Sequence, residues 1–129
     1  MMEGIKKQAH WFLRLAIAAV FLFHGLTKFP TISAFASMLK LPWLIALAVP
    51  VCETLGAVLI LVGGCVNDRG WTTRLGSLLI IPVMVGAIYM VHWGQWSFLP
   101  SQSHPMGGIE FQVVLLAVLF YLLIKGKDA

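Results

Sequence analysis

The sequence predicts an all-α protein, a four-helix transmembrane bundle, and three observations carry that expectation. Hydrophobic residues make up 60% of the 129-residue chain and charged residues 11%. A soluble domain carries about 25% charged residues, so a water-facing surface cannot be assembled from so few charges. Four apolar segments recur along the chain, each near the ~20 residues that cross a bilayer's hydrocarbon core. None of them alternates with period two. Lipid admits only helices and closed barrels as spanning structures, so these continuous runs are helices.

The first helix is expected over residues 11–29, with neither charge nor polar side chain between Leu15 and Phe23. The second covers 41–64 and contains Pro42, Pro50 and Glu53. The third covers 75–92, with Pro82 and no charge, and the fourth covers 107–124, with Glu110 and Gln112 near its start. Together they make a single transmembrane domain over residues 1–129. Pro50 and Pro82 are expected to kink their helices. Gly56, Ala57, Gly63 and Gly64 mark close helix packing in the second helix. Pro30 to Lys40 reads as the first connection and Cys65 to Arg74 as a turn built on Asn67-Asp68-Arg69-Gly70. The longest link, Trp93 to Met106, carries no charge and holds Trp93, Trp96, Phe98 and His104, a composition suited to the membrane interface.

Basic residues set the orientation. Four crossings place both termini and the middle turn on one side, with Lys6, Lys7, Arg69, Arg74, Lys125 and Lys127, against Lys28 and Lys40 on the other. That bias puts both termini in the cytoplasm. Arg14 is expected to snorkel to the inner interface. The net charge of +4 is dispersed between apolar runs, so no nucleic-acid partner is expected. Lys6, Lys7, the first apolar run and Ala34-Phe35-Ala36 imitate a signal peptide, but Lys28 and Pro30 stand between run and site, so cleavage is not expected. Cys52 and Cys65, about 20 Å apart along one helix, cannot bridge each other and read as two small buried apolar residues. No zinc-type Cys/His spacing occurs, and no metal site is expected.

The candidate site comes from depth. His24 and Lys28, four apart and so on one helix face, lie near the outer end of the first helix. His92 closes the third helix and Glu110 opens the fourth. Glu53 lies about 16 Å below the start of the second helix, deeper than Lys28, with His24 or a water to complete the contact between them. Ionisable groups inside a membrane usually face the bundle interior and mark a proton, ion or substrate path. His24, Lys28, Glu53, His92 and Glu110 are therefore expected to line one interior cavity as ligand-binding residues. Glu53, Glu110, His24 and His92 are its acid–base candidates. The competing reading is a set of buried polar contacts that fix helix register. His104 reads as a solvated loop residue, and Tyr89 and Tyr121 as packing aromatics.

These residues resemble the DoxX family of small four-helix membrane proteins. The resemblance runs from Arg14 through Phe23-His24-Gly25-Leu26-Thr27-Lys28, then Glu53-Thr54-Leu55-Gly56 and Gly63, then Ala87 to His92 and Gly94, to Glu110, about residues 8–126. The family's glycine-rich Ser-x-Asp tail has no counterpart in Lys125-Gly126-Lys127-Asp128-Ala129. The resemblance implies a bacterial inner-membrane protein tied to redox chemistry, and some relatives are quinone-reducing oxidoreductase subunits. The expected function is a redox-associated subunit binding a quinone-like or other apolar ligand in the outer half of the bundle. A quinone is the favoured cofactor class, haem a weaker one. Expected partners are membrane lipid, a redox partner protein and further copies of the chain. The alternatives are a transporter or proton path, and a non-catalytic anchor or assembly subunit. No flavin or nicotinamide fingerprint is present.

Orientation is checked by labelling single cysteines with an impermeant thiol reagent in intact cells, in a background lacking Cys52 and Cys65. Lys40→Cys and Ser101→Cys are expected to react from outside and Arg69→Cys is not; reaction of Arg69→Cys alone would invert the topology.

Overall fold

Each apolar segment becomes a helix in the computed structural model, which describes residues 1–128 and contains no strand among them. A short helix α1, Met2–Gln8, leads through Ala9, itself in helical geometry, into α2, His10–Lys28. A 3-10 turn at Phe29–Thr31 precedes α3, Ile32–Leu39. The longer helices α4, Trp43–Gly63, and α5, Trp71–Ala87, follow, and one π-helical turn, Ile88–His92, extends α5. After the loop comes α6, Glu110–Lys125, closed by a 3-10 turn at Gly126–Asp128. Ala129, the end of the tail, lies outside the described residues. The helical runs Met2–Leu39, Trp43–Gly63 and Trp71–His92 are long and apolar enough to span a membrane. The 16 residues of α6 reach about 24 Å. Both α4 and α5 run through Pro50 and Pro82 as continuous helix.

Two differences from the sequence expectation have clear causes. The first connection is not a loop. Ile32, Phe35, Ala36 and Leu39 recur at i, i+3, i+4 and i+7, so residues 32–39 form an amphipathic helix that lays this stripe on α4. Lys40, left-handed at φ 55°, ends it by donating its backbone N–H to Ala36 and Ser37. The second difference is that α5 starts four residues early, at Trp71. Asp68 accepts from the backbone N–H of Gly70 at 3.0 Å and of Thr72 at 2.8 Å, and from the Thr72 hydroxyl. That satisfies orphan donors of the first turn.

The bundle is ordered α2, α4, α5, α6, with α4 between α2 and α5, and α6 meeting α2 along a narrower seam. Its core joins Ile17 and Phe21 of α2, Ala57 and Ile60 of α4, Ile80 and Met84 of α5, and Leu115, Leu119 and Leu122 of α6. A second, separate cluster holds α3 to α4 through Ile32, Ala36 and Ala46. Phe12, Leu15, Phe23, Leu26, Leu78 and Val114 face outward and exposed, the surface that a lipid solvent accepts. The small residues act as expected. A Cβ on Gly56 would stand 2.8 Å from the Gly76 carbonyl oxygen, and one on Gly76 would stand 2.7 Å from that of Gly56, so the two backbones meet with no room for a side chain. Of the cysteines, Cys52 is half-buried and Cys65 is exposed in the turn, and both are free; Cys65 is thus not the buried residue expected, because α4 ends at Gly63.

Two measurements follow from this packing. Gly76→Val should lower the melting temperature by the equivalent of about 1–3 kcal/mol through overpacking, whereas Gly86→Ala, where nothing lies within 4 Å, should leave it unchanged or raise it. The hydrogen bond from the Thr72 hydroxyl, with the backbone donors of Thr72 and Gly70, holds the Asp68 carboxyl below the usual aspartate range. Its stabilising contribution is therefore complete above the unfolded value of about 3.9 and is lost as the pH falls through the lower folded value. An acid melting series should show that loss in the parent and not in Asp68→Asn.

Candidate functional site

Lys28 closes α2 and Glu53 lies midway along α4, and the structure joins them directly. The Lys28 ammonium Nζ donates to Glu53 Oε1 at 2.8 Å and to Oε2 at 3.0 Å. The axial gap expected from sequence is absent because α4 overhangs α2. Gly25 sits against Pro50 and Thr54, so Glu53 stands level with the last turn of α2, and α3 rather than α2 packs on the part of α4 around Ala46. No histidine or water is needed to complete the contact. The Glu53 side chain is 2% exposed and that of Lys28 is 24% exposed. The ring of Phe35, from α3, lies 5.7 Å from the ammonium, within cation–π range.

The other candidates go elsewhere. His92 is buried at the π-helical turn, and its Nδ1–H donates to the Gly107 carbonyl at 2.8 Å. Since a carbonyl only accepts, Nε2 of the neutral ring is left to accept from the Gln112 amide at 3.1 Å. Glu110 is half-buried and its Oε1 accepts from the Phe98 backbone N–H at 3.2 Å. It fastens the loop and does not reach into the bundle. His24 is exposed, packed edge-on against Phe23 with centroids 5.5 Å apart. The expectation that all five face one interior cavity is not met. His24 shares a helix face with Ile17, seven residues away; Ile17 is buried in the core whereas His24 is exposed, and at this level α2 meets α4 through the neighbouring Gly25 instead. An open cleft of about 420 Å³, lined by residues 29–34 with Trp43 and Leu47, involves none of the five.

A second polar centre lies at the opposite end of the bundle, on a residue the sequence left at the interface. Arg14 is fully buried. Its Nη1 donates to the Ile60 carbonyl at 2.7 Å and to Thr73 Oγ1 at 2.8 Å, its Nη2 to the Gly126 carbonyl at 3.2 Å, and its Nε to His10 Nδ1 at 2.8 Å. Arg14 does not snorkel because these acceptors come to it. Gly64 donates to Leu61 instead of Ile60 as α4 ends, freeing the Ile60 carbonyl. Among the described residues no carboxylate pairs with this guanidinium. The partial negative charge at the C-terminal ends of α4 and α6 takes that place. Close by, Arg74 donates to the Leu123 and Ile124 carbonyls, further capping α6.

The family model named DoxX matches residues 9–93. The chain belongs to the DoxX family. No curated protein and no solved structure matches it. In this DoxX-family chain the matched stretch carries Arg14, His24, Lys28, Glu53 and His92, and stops before Glu110. Sequence reasoning missed Arg14, Phe35 and Gln112 as members of these polar centres. The spacing of Phe35 within an amphipathic stripe was a usable signal; for Arg14 the one local signal was His10, four residues before it on the same helix face, whereas Thr73 and the Ile60 and Gly126 carbonyls come from distant elements. His104 is half-buried in the loop, and its ring donates to the Trp93 carbonyl at 2.5 Å. Tyr89 and Tyr121 are exposed. Among the described residues no group of three or more His, Cys, Asp or Glu is placed to hold a metal.

Arg14→Met should strand the Ile60 and Gly126 carbonyls and the Thr73 hydroxyl, lowering stability by about 3 kcal/mol or more, since each buried orphan costs about 1–3. Arg14→Lys should recover only part of this, because an ammonium lacks the planar fork. Melting in detergent, with exposed Lys125→Ala as an unaffected control, reads both.

Proposed function

We propose that the chain is a redox-associated subunit of the bacterial inner membrane that holds a quinone-like apolar ligand against the Lys28–Glu53 pair. It crosses the bilayer four times with both termini in the cytoplasm, as the distribution of basic residues favours. One observation carries the ligand reading: exposure falls stepwise from exposed His24, through Lys28 at 24%, to Glu53 at 2%. The pair thus opens sideways, toward the lipid in which an apolar ligand dissolves, and not into an interior cavity. Lys28 has three N–H donors, of which Glu53 takes two, so the third is left for a ligand oxygen. His24, one turn away on the same helix face, supplies a further polar contact. Glu53 would exchange a proton with a ligand hydroxyl, its charge balanced by Lys28. The quinone when bound would supply the redox chemistry, and a partner protein the electrons. His92 and Glu110, as bonded here, serve the site by holding the loop and the start of α6.

A non-catalytic anchor is the second reading, favoured by the closed bidentate bond between Lys28 and Glu53, which by itself would lock helix register. A proton path across the bundle is disfavoured, because Ile17, Phe21, Ala57, Ile60 and Leu119 form an apolar layer between this pair and Arg14.

Glu53→Gln and the double variant Glu53→Gln/Lys28→Met separate the two readings. Both should keep the parent's melting temperature and lose the quinone that co-purifies with the parent, read by solvent extraction from the same detergent. Undiminished quinone retention, or a parent that carries none, would leave the anchor. A Soret band in the parent would replace quinone by haem.

A further inference from the structure

The loop from Trp93 to Ile109 turns large apolar side chains outward, while Gln95, Ser97 and His104 are half-buried and bond within it. Trp93 is 67% exposed, Trp96 58%, Phe98 59%, Leu99 59% and Met106 61%. Several of its polar groups meanwhile bond to one another. The Gln95 amide donates to the Ser97 and Leu99 carbonyls, both at 2.8 Å, and its oxygen accepts from Ser101 Oγ at 2.5 Å. His104 closes onto the Trp93 carbonyl and Glu110 onto the Phe98 N–H. Backbone bonds from Gly108 to Ser97, Ile109 to Gln95, and Glu110 to Trp96 pair the two arms of the loop. Gly107, at φ 85°, allows the arms to touch, since a Cβ there would stand 3.0 Å from the Phe98 carbonyl carbon.

A loop in water does the reverse, leaving its backbone to solvent and its few apolar groups folded in. Self-satisfied backbone with apolar side chains outside is what a bilayer demands. We infer that this loop is a re-entrant element that docks into the uncharged headgroup–acyl boundary of the bilayer, with Trp96 and Phe98 as its anchors. Lipid is the occupant for two reasons. The loop continues, through His92 and Glu110, the outward apolar surfaces of α5 and α6, which already meet lipid. It also carries no Asp, Glu, Lys or Arg between those residues, and its one histidine, His104, is turned onto the Trp93 carbonyl, so anionic headgroups gain little from it, whereas tryptophan suits the neutral interfacial zone. Docked this way, the loop shields His92 and Gln112 from the aqueous phase.

The test uses the full chain reconstituted in phosphatidylcholine vesicles. A variant keeping Trp96 as its sole tryptophan should lose most of its emission in vesicles whose lipids are brominated near the top of the acyl chains, and resist aqueous iodide. Quenching by iodide with none by bromine would overturn the inference. Protection from both would overturn it as well, since a protein surface would then cover the loop. Should that variant fail to fold, a spin label on Phe98→Cys, in a Cys52→Ala/Cys65→Ala background, measures the same depth. Collisions with oxygen should exceed those with a soluble nickel chelate, and the opposite order would reject docking.

Discussion

A single buried cation holds one end of this bundle together. Arg14 takes its acceptors from α4, from α5 and from the turn that ends α6, while itself belonging to α2. A guanidinium suits this position because its donors are planar, fixed in direction and enough to meet several acceptors at once. The acceptors suit it because helices running toward this end leave carbonyls unsatisfied there. The arginine thus removes two problems at once, its own desolvation and the orphan carbonyls of two helix ends. Gly64 and Gly63 allow the arrangement by admitting Trp11 and the Arg14 stem beside one and Thr73 beside the other.

The opposite end is organised differently. Arg14 and Lys28 are separated by fourteen positions of α2, about 21 Å, and apart from the buried Ser77 hydroxyl the interior between them is apolar. At Lys28 the helix α2 stops while α4 continues, and α3 takes over as its neighbour. The ion pair sits at this handover, with its carboxylate inside and its ammonium at the edge. Pairing is what permits a buried carboxylate there at all, since an unpaired charge would be neutralised or expelled. The handover also explains why the pair lies at the flank of the bundle and His24 beside it on the outside.

Inverted surface logic extends to the connections. Exposed apolar side chains cover the helices and the long loop alike, and hydrogen bonds are spent on internal satisfaction, as at Gln95, His104 and Glu110. By contrast, the turn between α4 and α5 is of ordinary aqueous type, with Asp68 capping, Arg69 and Gly70 left-handed, and Lys127 bonded to Asn67. The two ends of the molecule therefore differ in the chemistry of the surface they present.

The sequence by itself determined the class of the fold, because apolar content and run length answer directly to the solvent. It also marked Gly56 as a close-contact position, since glycine in a spanning run has few other uses, and it singled out Lys28 and Glu53, because charge inside lipid needs a partner. What it could not set was helix stagger. The overhang of α4 past α2 is a sum of packing contacts between distant residues, and it decided that Lys28 touches Glu53 directly while His24 is left outside. The same dependence hid Arg14: side-chain type foretells the need for acceptors, but the Ile60 and Gly126 carbonyls carry no letter in the sequence, and only the assembled helix ends brought them, with the Thr73 hydroxyl, to the guanidinium.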